Sequence, residues 1–429
     1  MATSLGKCFQ VMLTRPLKSR SIFSDVLARN TIRQYRKRTE LGFHLLDAEL
    51  TLKQAFFVAG LRTPFGRAGK GAFRDYRPDD LMVELLSGHR LRFPQIWKNA
   101  FNDFVLGCAY PEGEQGYNVA RMIALGADLS LPGTTINRLC ASSIEAVANA
   151  AARVRSDWGN LYLVGGLESM SRVPRRGANF SESDRIKQLC SMAYTPNGET
   201  AERVAQQYPQ LDRLAQEDFA ARSHELADAA YANGSYADQL FPVFIDRDEF
   251  IRVPVDRDKM ASLPPAFSES GVVTAATSSP LTDGACCGVV CDLATAQQMG
   301  VKSALEIIDV TVSHVAPEVM GLGPVPSTTA IFARNNITAR DLAAVEINEA
   351  FAIQVLASLA ELQIPLDIVN NWGGAIALGH PLGASGLRLV MTLHHRLERS
   401  GQADALGLVT LCVGGGQGMS LLARLVSFN

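Results

Sequence analysis

The chain has 429 residues, 47% hydrophobic and 20% charged, a balance that excludes a disordered chain and fits two or three globular domains. Its formal net charge of −2 lacks the basic excess of a phosphate-neutralising protein, so nucleic acid is not an expected partner. No run approaches the roughly 18 apolar residues of a spanning helix, so no transmembrane segment is expected. Residues 1–45 read as a basic leader. Up to residue 39 it holds nine Lys or Arg against one acid, Asp25. It reads as an organelle-targeting peptide or, more plainly, as a disordered basic arm or a misassigned start site. The first reading implies the mitochondrial matrix, the second the cytoplasm.

Beyond the leader, strands and helices alternate. Phe56–Ala59 reads as a short strand ended by Gly60, residues 79–91 as a helix, and Leu161–Val164 as a buried strand closed by Gly165-Gly166. Residues 211–240 read as helical and Leu305–Val310 as a further strand. This order implies an α/β fold. The stretch of about 172–270 is rich in charge and turns and reads as a loop region over the sheet, within a first half spanning 54–292. A second half spans 300–428. A repeat supports two halves: CASSI at 140–144, then LYLV, then GGLESMS, is matched by GASGL at 383–387, then TLCV, then GGGQGMS.

Cys140 is the leading candidate nucleophile. TTINRL before it reads as a strand, and Ile144, Val147, Ala148 and Ala151 after it share one helix face. A cysteine at a helix start is expected to favour the thiolate, with Ser142 and Ser143 capping the first turn. The plainer alternative is a buried structural cysteine. His380 sits in GGAIALGHPLGASG, where glycines and Pro381 forbid a continuous helix and hold the ring on a turn. Cys412 ends LGLVTLC before three glycines, whose N–H groups suit an oxyanion; alternatively the glycines only close the strand. Asn348, in EINEAF, reads as a helix N-cap or as a residue orienting a water or carbonyl. Cys286, Cys287 and Cys291 read as packing in a buried strand, not as metal ligands. GRAGKG at 66–71 fails the phosphate-loop pattern at Pro64 and Gly71.

Together these motifs resemble the thiolase family. The resemblance runs through RTPFG at 62–66, NRLCASS at 137–143, GETAE at 198–202, GVVTAATSSPLTDGA at 271–285, GLGPVP at 321–326, NEAF at 348–351 and the C-terminal Cys-x-Gly-Gly-Gly. It implies a duplicated five-layer αβαβα fold with a loop domain inserted in the first half. It implies a homodimer or homotetramer, acyl-CoA and coenzyme A as substrates, and neither metal nor cofactor. By that resemblance Cys140 accepts the acyl group, His380 activates it, and Cys412 exchanges protons with the acetyl-CoA enolate and with CoA. Asn348 fixes an oxyanion water, the N–H groups of Cys140 and Gly414 hold the thioester oxygen, and Ser279 contacts CoA.

The implied reaction is thiolytic cleavage of 3-ketoacyl-CoA in fatty acid β-oxidation. An acetoacetyl-CoA-forming acetyl-CoA acetyltransferase is an alternative. So is a β-subunit of a multifunctional β-oxidation complex, which would take an α-subunit as partner. A ketoacyl synthase and a non-catalytic structural subunit are the remaining rivals. Ser143, Thr277 and Trp372 depart from the usual family pattern.

Overall fold

The computed structural model describes residues 53–428. The basic leader read at 1–45 lies outside the described residues. Strands are β1 (Ala55–Arg62), β2 (Gly66–Arg67), β3 (Asp103–Cys108), β4 (Gly133–Ile136), β5 (Leu161–Ser169), β6 (Thr282–Asp292), β7 (Ser303–His314), β8 (Leu342–Ile347), β9 (Leu406–Val413) and β10 (Gln417–Ser427). The longer helices are α1 (Pro78–Arg92), α2 (Val119–Gly126), α3 (Ser142–Arg155), α4 (Asn197–Gln207), α5 (Arg213–Ala232), α6 (Pro324–Asn335), α7 (Ala352–Leu362) and α8 (Leu382–Ser400).

The sheet order is β4-β3-β5-β6-β1-β7-β10-β9-β8, with β2 beside β6. The duplication is visible in the pairing. In the first half β3 and β5 run parallel, and β6 lies antiparallel between β5 and β1. In the second half β8 and β9 run parallel, and β10 lies antiparallel between β9 and β7. The halves meet where β1 pairs β7 at Phe56–Glu306 and Phe57–Leu305.

Alternation along the strands builds separate apolar cores. Phe57, Val105, Val164 and Val409 face one core with the inner sides of α3 and α8. Their neighbours Phe56, Val58, Phe104 and Leu163 face a second core under α1 and α2. Leu408 and Val345 face a third, under α6, α7 and part of α5. Helices therefore cover both outer faces, and α3 and α8 fill the middle, giving five layers.

α3 and α8 approach closely because small residues line their contact. A Cβ added at Gly386 would lie 2.7 Å from Ile144 Cγ1. Ser143, one of the departures from the usual family pattern, is accommodated there. Its hydroxyl accepts the Leu387 N–H at 2.9 Å, bonding one half to the other.

Some sequence expectations need correction. Gly165-Gly166 do not close β5, which runs through them to Ser169. Gly166 is small because α8 crosses it, where a Cβ would lie 2.5 Å from Gly383 O, and Gly165 because a Cβ there would lie 2.8 Å from Leu106 Cδ1 of β3. GGLESMS and GGGQGMS are therefore not structurally equivalent, since Gly414–Gly416 form the turn between β9 and β10. The equivalence lies in helix-then-strand order, α3–β5 against α8–β9. β1 runs on to Arg62 through a bulge at Ala59 instead of ending at Gly60. The 172–270 stretch contains helices, including α4 and α5. α5 contributes Phe219, Ala220 and Ala221 to the outer core of the second half.

Candidate active site

Cys140 lies in the short turn Leu139–Ala141 that leads from β4 into α3. Leu139 has φ 45°, a left-handed conformation costly for a branched side chain, so the turn must be held from outside. The Asn137 carboxamide oxygen accepts the Leu139 N–H at 2.8 Å. Ser142 accepts from Arg138 N at 3.0 Å and donates to Leu139 O at 2.6 Å. Ser142 thus braces the strained turn and does not cap α3, and Ser143 reaches α8. The capping expectation is corrected for both.

His380 follows Gly379, whose φ of 102° and lack of room for a Cβ (Thr282 Cγ2 would be 2.7 Å away) demand glycine. Pro381 then starts α8. The His380 backbone N–H donates to Thr282 Oγ1 at 2.9 Å. His380 Nδ1 is 2.6 Å from Ser385 Oγ, and that hydroxyl donates its proton to Pro381 O at 2.8 Å. With its one proton used there, Ser385 must accept, which places the imidazole proton on Nδ1 and leaves Nε2 as an acceptor. Asn348 Nδ2 lies 3.2 Å from that Nε2.

Asn348 is not an N-cap. It continues β8, donating its N–H to Thr410 O at 3.0 Å, while Phe351 stands at the start of α7. Cys412, buried near the end of β9, precedes the Gly414–Gly416 turn. Gly415 and Gly416 have φ of 79° and 82°, so glycine is required at both. Ser279 is held by its N–H to Ala350 O at 3.0 Å, tying the 271–285 segment to NEAF.

A cavity of roughly 290 Å³ gathers these groups: Cys140, His380, Cys412, Gly414 and Ser279 all line it. Asn348 is not among the lining residues and meets the site through its contact with His380. Met320, Phe351, Phe267 and Leu382 supply apolar lining.

Burial sets the protonation states. It pushes the Cys140 thiol up to about 11, while the N–H groups of Gly414 and of Cys140 itself bond the sulfur and pull the other way. The helix-start expectation of a resting thiolate is therefore corrected: desolvation outweighs the local dipoles. Burial likewise raises the Cys412 thiol, and the proximity of Cys140 adds to the rise. His380 is pushed down to about 3, by burial first and by the Arg388 charge second. The resting site is thus two thiols and a neutral imidazole.

Sequence reasoning passed over the supports of this site. Glu168 is fully buried beneath Cys140 and accepts from Ala109 N at 2.8 Å, Gly383 N at 2.9 Å and Gln115 Nε2 at 2.8 Å. It thereby joins β5 to the start of α8. Burial raises its carboxyl to about 7 against those donors. Ser385 and Thr282, which fix His380, also escaped notice. Both fall inside recognised motifs; the partner of Thr282 is 98 residues away, whereas Ser385 reaches His380 across a single turn, a contact that the motif itself could have signalled. The three clustered cysteines, 286, 287 and 291, are fully buried in β6. No helix among the described residues is long and apolar enough to cross a membrane.

The family model for the thiolase N-terminal domain matches residues 55–294, and that for the thiolase C-terminal domain matches residues 301–424. A 3-ketoacyl-CoA thiolase of Bacillus subtilis is 36% identical over 387 residues, covering 86% of this chain and 98% of its own length. A β-ketoadipyl-CoA thiolase of Pseudomonas knackmussii is 38% identical over 403 residues, covering 87% of this chain and all of its own, 100%. Among solved structures, an acetyl-CoA acetyltransferase of Bacillus anthracis aligns with a TM-score of 0.78 at 31% identity, over 87% of this chain and 99% of that one. These matches correct the expected mitochondrial location: the relatives are bacterial, from cells that have no mitochondria. The chain belongs to the thiolase family, acyltransferases whose substrates are coenzyme A and its thioesters.

Proposed function

We propose that this protein cleaves 3-ketoacyl-CoA with coenzyme A, giving acetyl-CoA and a shortened acyl-CoA through an acyl-Cys140 intermediate. The observation that carries this reading is the meeting of Cys140, His380 and Cys412 in one cavity, two thiols and a neutral base. Cys140 and Ser279 come from the half proposed at 54–292. Asn348, His380, Cys412 and Gly414 come from the half proposed at 300–428.

The steps follow from the protonation states. His380 Nε2 takes the Cys140 proton, and the sulfur attacks the C3 keto carbon. Because the thiol is pushed up and the imidazole down, this transfer is uphill until bond formation to carbon draws it forward. The alkoxide collapses, the C2–C3 bond breaks, and its electron pair on C2 takes the Cys412 proton, releasing acetyl-CoA. The Cys412 thiolate then deprotonates incoming CoA, whose sulfur attacks the acyl-Cys140 carbonyl. Cys140 leaves and recovers its proton from His380. The N–H groups of Gly414 and Cys140, both already directed at the Cys140 sulfur, are placed to stabilise the thioester oxyanion.

A second reading, acetyl-CoA acetyltransferase, uses the same residues in the reverse direction. It is favoured by the likeness to the Bacillus anthracis structure. Fatty acid β-oxidation is the degradative setting we propose, and a multifunctional-complex α-subunit is the partner that setting would supply. A homodimer or homotetramer is supported by the open edge of β4, whose residues are all half-buried. Mixing the protein with 3-ketoacyl-CoA and CoA tests the reading. Loss of the keto thioester with matching acetyl-CoA is expected, and no loss with any chain length would overturn it.

A further inference from the structure

The cavity wall carries two formal charges that the chemistry above does not use, and both are positive. Arg175 and Arg176 line it, while no Asp or Glu does. They sit on a tight turn. Arg176 and Gly177 have φ of 77° and 79°, and Gly177 N donates to Pro174 O at 2.8 Å. Glu112 anchors the turn from below, accepting from Ala178 N at 2.8 Å. A non-glycine residue held in that conformation needs such an anchor.

The two arginines differ in engagement. Arg176 donates to Tyr194 O at 2.5 Å, pairs with Glu182 at 3.5 Å and lies over the Phe180 ring at 5.2 Å. Arg175 makes no hydrogen bond or ion pair among the described residues. The nearby carboxylates are occupied, Glu112 with the turn itself and Glu168 with Ala109, Gly383 and Gln115. Yet Arg175 lines the same cavity as Cys140 and Tyr110.

That proximity distinguishes the two anions a CoA thioester brings. The long pantetheine arm keeps the CoA phosphates far from the thioester. A cation that shares a cavity of roughly 290 Å³ with Cys140 is therefore placed for the acyl chain and not for the distant phosphates. We propose that Arg175 is a specificity residue that binds a carboxylate at the far end of a short acyl chain, so that the preferred substrates are 3-ketoacyl-CoA thioesters of dicarboxylic acids. The inference rests on the thiolase reading and narrows its substrate class. The physical basis is a charge-assisted, bidentate guanidinium–carboxylate contact beside apolar walls, which rejects an acyl chain ending in methyl because the cation is then left unpaired.

Two thioesters of equal chain length test it, 3-oxoadipyl-CoA and 3-oxohexanoyl-CoA. The wild-type ratio of kcat/KM should favour the carboxylated substrate by roughly 10–10²-fold. In Arg175→Gln the ratio should fall towards one, and Arg175→Lys should restore it only in part, because an ammonium lacks the planar fork. A ratio near one in the wild type would overturn the proposal. So would a rise in the KM for CoA in Arg175→Gln with the ratio unmoved, which would assign the cation to CoA phosphates. Binding of adipyl-CoA against hexanoyl-CoA, which lack the keto group, reads the subsite without turnover. Tighter adipyl-CoA with neither keto thioester cleaved would keep the subsite and sink the thiolase reading. Equal binding with both keto thioesters cleaved would do the reverse.

Discussion

Asn348 Nδ2 lies 3.2 Å from His380 Nε2, the nitrogen that takes the Cys140 proton in the proposed mechanism. The contact orients the ring and places an amide donor on that nitrogen. Asn348→Ala should lower kcat/KM for thiolysis by roughly 10²-fold, the scale of one oxyanion donor, with Tm changed by only a few degrees. Asn348→Asp should place a carboxylate on Nε2, raise the imidazole's proton affinity and move the acid limb of the pH–rate profile upward. A merely structural asparagine would leave that limb in place.

Ser385 sets the tautomer. Removing its hydroxyl leaves the His380 Nδ1 proton without its 2.6 Å acceptor, and the Nε2-protonated form gains population. Ser385→Ala should cut kcat by about 10-fold with little change in KM, and Ser385→Thr should recover most of it. Equal activity of Ser385→Ala and wild type would show that the tautomer is fixed elsewhere.

Glu168 clamps the halves beneath Cys140 through N–H donors alone. Glu168→Gln keeps the shape but turns an N–H towards Ala109 N or Gly383 N, so one donor is left buried and unsatisfied. A loss of about 1–3 kcal/mol is expected in chemical denaturation. Unchanged stability would mean that the carboxyl is protonated in the native state. That is the state its raised pKa of about 7 favours as pH falls.

Acid should destabilise the fold through its buried neutral histidines. His89 accepts from Trp97 Nε1 at 2.9 Å on Nδ1 and donates from Nε2 to Ala59 O at 3.2 Å. Burial pushes it from 6.5 down to about 4. Below pH 6.5 the unfolded chain binds a proton that the fold refuses until about pH 4, so stability falls as pH falls through this window. The loss from His89 is up to about 3 kcal/mol. Glu168 acts with opposite sign: its raised pKa costs stability as pH rises towards 7. Calorimetry from pH 7 to 4.5 should show a shallower fall in His89→Gln than in wild type, by about one proton. Parallel curves would contradict the assignment.

Much of this was legible in sequence because it is local. Alternating apolar residues marked the strands, helical spacing after Cys140 marked α3, and glycines around His380 and after Cys412 marked turns that admit no Cβ. What escaped was set by partners distant in the chain. Gly165-Gly166 looked like a strand end because what requires them is distant in the chain: Leu106 and Phe104 against Gly165, and the crossing helix, more than two hundred residues away, against Gly166. Glu168 sat unremarked in GGLESMS because its donors come from Ala109, Gln115 and Gly383. The protonation of Cys140 was misjudged for the same reason: a helix start is visible in sequence, but the depth of burial that overrides it is not. Arg175 looked like any loop charge until the cavity placed it near Cys140.

The central claim is a division of labour, with Cys140 carrying the acyl group and Cys412 carrying protons. Incubation with a 3-ketoacyl-CoA and no free CoA, followed by digestion and mass spectrometry, tests it most directly. The acyl mass should appear on the peptide containing Cys140, vanish in Cys140→Ser, and form at least about 10²-fold more slowly in Cys412→Ser while still on Cys140. Stable acylation of Cys412 in the wild type, or undiminished acylation in Cys140→Ser, would contradict the account.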